Sequence, residues 1–176
     1  NDDYGQVNVK QIKLRLTLDH EYDRYAFGIE GGGTAEGTID GPVALQQVGP
    51  TGNFDDFYKE LPFPHVPFKA QVLHGRSQPA REFEKASGWV TMAGPAGNVC
   101  LAGKYFWQYH PKVYALDKQL LEFHVWNKLE DIPDPEIGFA KTHEVTLTFA
   151  DAPGTAAVLA GLNGPLRAVT TPAQYI

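Results

Sequence analysis

The stretch KYFWQYHPK, residues 104–112, places four aromatic rings, two lysines and one histidine in nine positions. Rings and cations together suit a sugar acid, whose apolar face stacks on a ring and whose carboxylate pairs with an ammonium. They equally suit a strand end that packs a core. A second polar cluster is KTHE, residues 141–144. On a strand, Lys141 and His143 would share a face with Val145, Leu147 and Phe149, and Glu144 would lie on the other. At the rim of a cleft, Lys141 would stabilise a carboxylate and His143 would move a proton. In the competing reading, a buried stripe simply turns polar where it reaches solvent. The candidate proton-transfer residues are therefore His143 and His110, and the candidate substrate-binding residues are Lys104, Gln108, Tyr109, His110 and Lys141.

Other chemistries find no footing. The six histidines, His20, His65, His74, His110, His124 and His143, contain no HExxH pair, and Cys100 is the single cysteine, so no metal site is predicted. There is no GxSxG element. Cys100 lies in an apolar run and reads as a buried thiol without a disulfide partner in the chain. No cofactor is implied, and calcium is not predicted.

The elements that must position these residues read as β. VNVKQIKLRLTL, residues 7–18, alternates at period two with Ile12, Leu14, Leu16 and Leu18 on one face. Val7 and Val9 are out of phase with that set, which predicts a bulge near Lys10 and Gln11. RYAFGIE (24–30), PVALQQV (42–48), GWVTMA (88–93), NVCLAGKYFW (98–107) and KTHEVTLTFA (141–150) read as further strands. KVYAL and QLLEFHVW flank Asp117 and Lys118 as a hairpin. GGGTAEG (31–37) reads as a connection, because it lacks the GxGxxG spacing of a dinucleotide loop. TAAVLAGLNG (155–164) reads as one short helix. The expected fold is all-β: a two-layer antiparallel β-sandwich with long Pro-rich loops and at most one or two short helices. Its expected core includes Leu14, Leu16, Phe27, Val99, Leu101, Phe123, Val125, Leu147 and Phe149.

Strand alternation through residues 104–110 puts Tyr105, Trp107 and Tyr109 on the core face. Lys104, Phe106, Gln108 and His110 then lie on the other, and Pro111 ends the ladder. Residues 49–84 carry prolines at 50, 62, 64, 67 and 79 and almost no periodicity. They are expected to form a long irregular insertion outside the sandwich, covered by a partner or folded back onto the sheet.

At 176 residues the chain is one domain, 1–176, long enough to bury a sizeable core. Fifteen basic residues against 21 acidic give a net charge of −6, which disfavours non-specific nucleic-acid binding. No run of 18 apolar residues predicts a membrane span. The opening residues NDDYGQVNVK contain no apolar signal-peptide core.

Five stretches in one order, GWV (88–90), YFWQYHPK (105–112), LEFHVW (121–126), GFAKTHEVTLTF (138–149) and GPLRAVTTPAQYI (164–176), resemble the central β-sandwich domain of exo-rhamnogalacturonan lyase-family proteins. The FWQ-x-x-PK and AKTHE elements are the specific ones. The chain departs from the family with Val125-Trp126-Asn127 where Leu-Trp-Pro is usual. The resemblance implies a larger secreted or cell-surface protein with a barrel-like N-terminal β domain, this sandwich, and a C-terminal α/α toroid. It implies cleavage beside a uronic acid by β-elimination, in a cleft between toroid and sheet. This chain would line or support that cleft and would not be catalytic alone. Its partners would be an acidic polysaccharide and the flanking domains. Two further readings stand beside it: a non-catalytic carbohydrate-binding module, and an extracellular assembly protein that forms homo-oligomers through its sheet edges.

Overall fold

The computed structural model describes residues 9–49, 68–75, 81–127 and 142–150. They form eleven strands and one 3-10 turn of three residues. In chain order the strands are β1 (Gln11–Thr17), β2 (Arg24–Ile29), β3 (Thr34–Thr38), β4 (Val43–Val48), β5 (Lys69–His74), β6 (Arg81–Phe83), β7 (Ala86–Gly94), β8 (Gly97–Gly103), β9 (Lys112–Asp117), β10 (Leu120–Asn127) and β11 (Val145–Ala150). Two antiparallel sheets result, β1-β10-β9-β4-β5-β6 and β11-β8-β7-β2-β3. The fold is thus an all-β two-sheet sandwich, as the alternating sequence requires.

Alternation decides which side of each strand faces inward. Tyr25 and Phe27 on β2, Val90 and Met92 on β7, and Val99 and Leu101 on β8 form the inner face of one sheet. Leu45 on β4, Val72 on β5, Tyr114 and Leu116 on β9, and Leu121 and Phe123 on β10 form the other. The β9–β10 connection is a two-residue turn, Lys118-Gln119, with Asp117 Oδ1 accepting the Lys118 amide at 2.8 Å. The β7–β8 turn, Pro95-Ala96, closes between Gly94 and Gly97.

Several expectations need correction. GGGTAEG is not only a connection: Glu30–Gly32 form the 3-10 turn and Thr34–Thr38 form β3. The stretch 49–84 is not wholly outside the sandwich, because β5 and β6 within it extend a sheet and bury Ala70 and Val72. Residues 50–67 and 76–80 lie outside the described residues. The register shift in β1 falls between Ile12 and Lys13, two residues beyond the expected bulge.

Leu14, Leu147 and Phe149 are not core residues: they are 41%, 38% and 67% exposed. They lie on the inward side, since Leu14 pairs with Phe123, Leu147 with Leu101 and Phe149 with Val99. Their strands, β1 and β11, are the ends of the two sheets, and no described strand covers them. Leu16 and Val125 are half-buried, and Phe27, Val99, Leu101 and Phe123 are buried as expected. Among the described residues, no helix is long and apolar enough to cross a membrane. The helix expected at 155–164 lies outside the described residues.

Candidate functional site

The KYFWQYHPK stretch is not a strand continuation. β8 ends at Gly103, and residues 104–109 are turns. Tyr105 adopts φ 55°, the left-handed region, which reverses the chain and costs on the order of 1 kcal/mol for a non-glycine residue. The Tyr109 amide then donates to the Tyr105 carbonyl at 2.9 Å. This turn inverts the expected face assignment. Phe106, placed on the ligand-facing side by alternation, is 1% exposed and stacks on Tyr114 at 4.8 Å and Phe123 at 6.0 Å. Trp107, expected in the core, is only half-buried.

Gly88 lets Phe106 enter. Its φ is 82°, and a Cβ there would stand 2.7 Å from the Gly103 carbonyl oxygen and closer still to the Phe106 Cβ. The Tyr114 hydroxyl donates to the Gly88 carbonyl at 2.8 Å, and burial pushes this phenol's pKa far up, so it stays a neutral donor. Gln47, fully buried on β4, accepts the Ala86 amide at 2.8 Å and donates to the Val48, Lys69 and Glu84 carbonyls. Together these groups fix the start of β7 beneath the turn.

On that base the turn gathers two clusters. In the first, Trp107 and His110 both meet the Phe68 ring edge to face, at 5.1 and 5.4 Å. The Lys85 ammonium lies 5.0 Å from the Trp107 ring centre and 5.9 Å from that of Phe68, and pairs with Glu84 at 2.8 Å. The Trp107 carbonyl lies 3.3 Å from His110 Nδ1. The His110 imidazole packs over Gly49, where any Cβ would fall inside the ring.

In the second cluster, the Tyr109 and His143 rings meet edge to face at 6.2 Å and 87°, and Tyr105 lies 5.3 Å from Tyr109. The Lys104 ammonium donates to Glu144 Oε2 at 2.9 Å and lies 5.6 Å from the Tyr105 ring centre. The Glu144 carboxylate raises the Lys104 pKa by accepting that hydrogen bond. Lys112 is fully buried; its Nζ donates to the Val125 carbonyl at 2.8 Å and lies 2.8 Å from His143 Nδ1.

The structure thus brings Lys104, Tyr109, His110 and His143 to one end of the sandwich, on a single turn and the segment leading into β11. Gln108 is exposed on the same turn. Lys141 lies outside the described residues. His143 precedes β11 rather than lying in it, so it does not share a strand face with Val145. Lys85, Phe68, Glu144 and Lys112 were not legible as site residues. Lys112 had a signal: it is in phase with Tyr114 and Leu116 on the inward face of β9, where a lysine is out of place. No group of three or more His, Cys, Asp or Glu side chains suited to a metal occurs among the described residues.

The class that fold and site define is a two-sheet β-sandwich with an aromatic and cationic surface at one end. No protein-family model matches the chain, and no curated protein is significantly similar to it.

Proposed function

We propose that this chain is the sandwich of a secreted, exo-rhamnogalacturonan lyase-like polysaccharide lyase, and that it lines or supports a uronate-glycan site without being catalytic alone. The observation that carries the reading is the 104–110 turn, which sets Trp107 beside the Lys85 ammonium and Tyr105, itself against Tyr109, beside the Lys104 ammonium. Rings give a sugar its apolar platform, and ammoniums beside them pair with its carboxylate. Both lysines already hold a glutamate, Lys85 with Glu84 and Lys104 with Glu144. Such solvent-reached pairs contribute little, so an incoming carboxylate exchanges with them at small cost. The resemblance of the five sequence stretches to the lyase family points the same way.

The test is calorimetric binding of trigalacturonic acid to the full chain. Trp107→Ala and Lys104→Ala are each expected to weaken binding about tenfold, or ~1.4 kcal/mol, and Phe149→Ala to leave it unchanged. No binding by the wild type, or unchanged affinity in both site variants, rejects the reading.

A second reading, assembly through sheet edges, is favoured by a separate observation. β11 reads VTLTFA, with no charge and no proline, and exposes Val145, Leu147 and Phe149 at a sheet end. Natural edges are normally guarded by charged residues or proline. Two copies joined antiparallel about Leu147 would set apolar side chains against apolar ones and threonines against threonines. Sedimentation velocity decides: this reading expects a dimer that Leu147→Lys converts to monomer, and a wild-type monomer removes it.

A further inference from the structure

We infer that the whole open side of the sandwich, β1 together with β11, is the contact face for a second copy of this chain. The two copies are related by a two-fold axis through β11, and the inner sides of both strands form one core across it. The sheets are aligned across the interior: the Tyr114 hydroxyl of β9 donates to the Gly88 carbonyl of β7, and a Cβ on Gly103 of β8 would stand 2.7 Å from the Phe123 ring of β10. The next strands outward, β11 beside β8 and β1 beside β10, therefore lie across from each other. Ile12 is 53% and Val145 36% exposed, and they extend the patch of Leu14, Leu147 and Phe149 over both strands. The opposite side is closed: Ala35 on β3 is 1% exposed, and Phe83 on β6 packs against the core. The sandwich thus has one finished side and one apolar opening.

A second copy fits this opening because the edge is self-complementary. Antiparallel pairing of two identical strands generates a two-fold axis normal to the sheet, and opposed residues share a face. About Leu147, Val145 meets Phe149 of the second copy and Thr146 meets its Thr148. The axis keeps both inner faces on one side, so the two six-stranded sheets stand side by side over the joined β11 strands. Their β1 edges meet there, and Ile12 and Leu14 complete a core that neither copy closes alone. The five exposed side chains offer on the order of 500 Å² per copy, against about 800 Å² for each partner of a standard interface, and the backbone edges add to it. Charge is arranged as an interface needs. β11 has none, and Lys13 and Arg15 of β1 are held by Glu122 on the outer face, which places them at the polar rim. Gly103 pairs with Val145, so the two 104–110 turns lie at opposite ends of the joined strands and stay open. The pairing of β11 rests on the edge-assembly reading above, and the contribution of β1 goes beyond it.

The experiment is sedimentation velocity of the full chain over a concentration series, for wild type, Leu147→Lys, Leu14→Lys and, on the far edge strand β3, Thr34→Lys. The expected result is a wild-type dimer that Leu147→Lys dissociates, that Leu14→Lys weakens at least about tenfold, and that Thr34→Lys leaves unchanged. A dimer that Leu147→Lys dissociates and Leu14→Lys leaves intact overturns the inference, while pairing through β11 stands. A wild-type monomer rejects both. Should Leu14→Lys fail to fold, Ile12→Lys, at a more exposed site, takes its place with the same outcomes. Phe149 is 67% exposed in one copy, so its truncation weakens the dimer and leaves the fold of the dilute, monomeric chain nearly as stable. A monomer in which Phe149→Ala costs as much stability as Phe27→Ala assigns the open side to another segment of the same chain and overturns the inference.

Discussion

Glu122 offers the sharpest test of the sheet's outer face. It lies on β10 with a side chain only 7% exposed, between Lys13 and Arg15 of β1 and His124 of its own strand. Burial alone would raise its pKa. The hydrogen bonds from His124 at 2.9 Å, Lys13 at 3.1 Å and Arg15 at 2.5 Å outweigh burial and bring it from 4.5 down to about 2. At 1.36 kcal/mol per pH unit this corresponds to roughly 3 kcal/mol of native-state preference for the carboxylate. Arg15 is 58% and Lys13 30% exposed, so solvent screening reduces the figure to about 1–2 kcal/mol. The folded-state pKa is depressed, so the stabilisation is fully present above pH 4.5. It is lost as pH falls from there to about 2. Urea unfolding of wild type and Glu122→Gln, followed from pH 7 to pH 2, isolates this group from the other carboxylates. The variant should be about 1–2 kcal/mol less stable at pH 7, and the gap should close by pH 2. A gap that is absent at pH 7, or constant across the range, would refute the reasoning.

Two further outcomes concern packing. Phe27→Ala, at a site with 0% exposure, should cost about 3–5 kcal/mol in chemical denaturation, whereas Phe149→Ala, at 67% exposure, should stay within about 1 kcal/mol. Equal losses would mean that β11 is covered in solution. Gly88→Ala should cost at least about 2 kcal/mol, because φ 82° disfavours any side chain and the new Cβ meets Phe106 and the Gly103 carbonyl. A near-neutral result in the melting curve would show that Phe106 does not enter the core at this point.

How much of this was legible depended on the length of each periodic signal. β2, β4, β7 and the β9–β10 hairpin announce themselves through sustained alternation of large apolar residues. β3 does not, because TAEGT offers only Ala35 as a buried apolar side chain. β5 offers only Ala70 and Val72, close behind a run of prolines, and β6 is three residues long. In KYFWQYHPK, aromatic residues at successive positions imitate a strand. The left-handed Tyr105 and the space above Gly88 instead turn the chain and exchange the places of Phe106 and Trp107. For β11, alternation gave the correct face and the wrong burial. Burial depends on what stands across from a strand, and an edge position is a property of topology that the strand's own residues do not carry.

The interior itself marks which end of the sandwich is set apart. Four polar residues are buried among the described ones: Gln47, Lys112, Glu122 and His124. Glu122 and His124 alternate with Phe123 and belong to the outer face, where they bind each other and the cations of β1. Gln47 and Lys112 are register partners on β4 and β9, at the end of the sheet that lies under the 104–110 turn. A core selected for stability alone would place apolar residues at both positions, since buried polar groups stabilise little beyond apolar ones of the same shape. Here one of the two ties β7 to the neighbouring backbone and the other holds His143. Departures from an apolar interior are expected where positioning outweighs stability. Their concentration beneath the turn, on the two strands that support it, is an argument for this end as the working surface that does not depend on the aromatic residues above it.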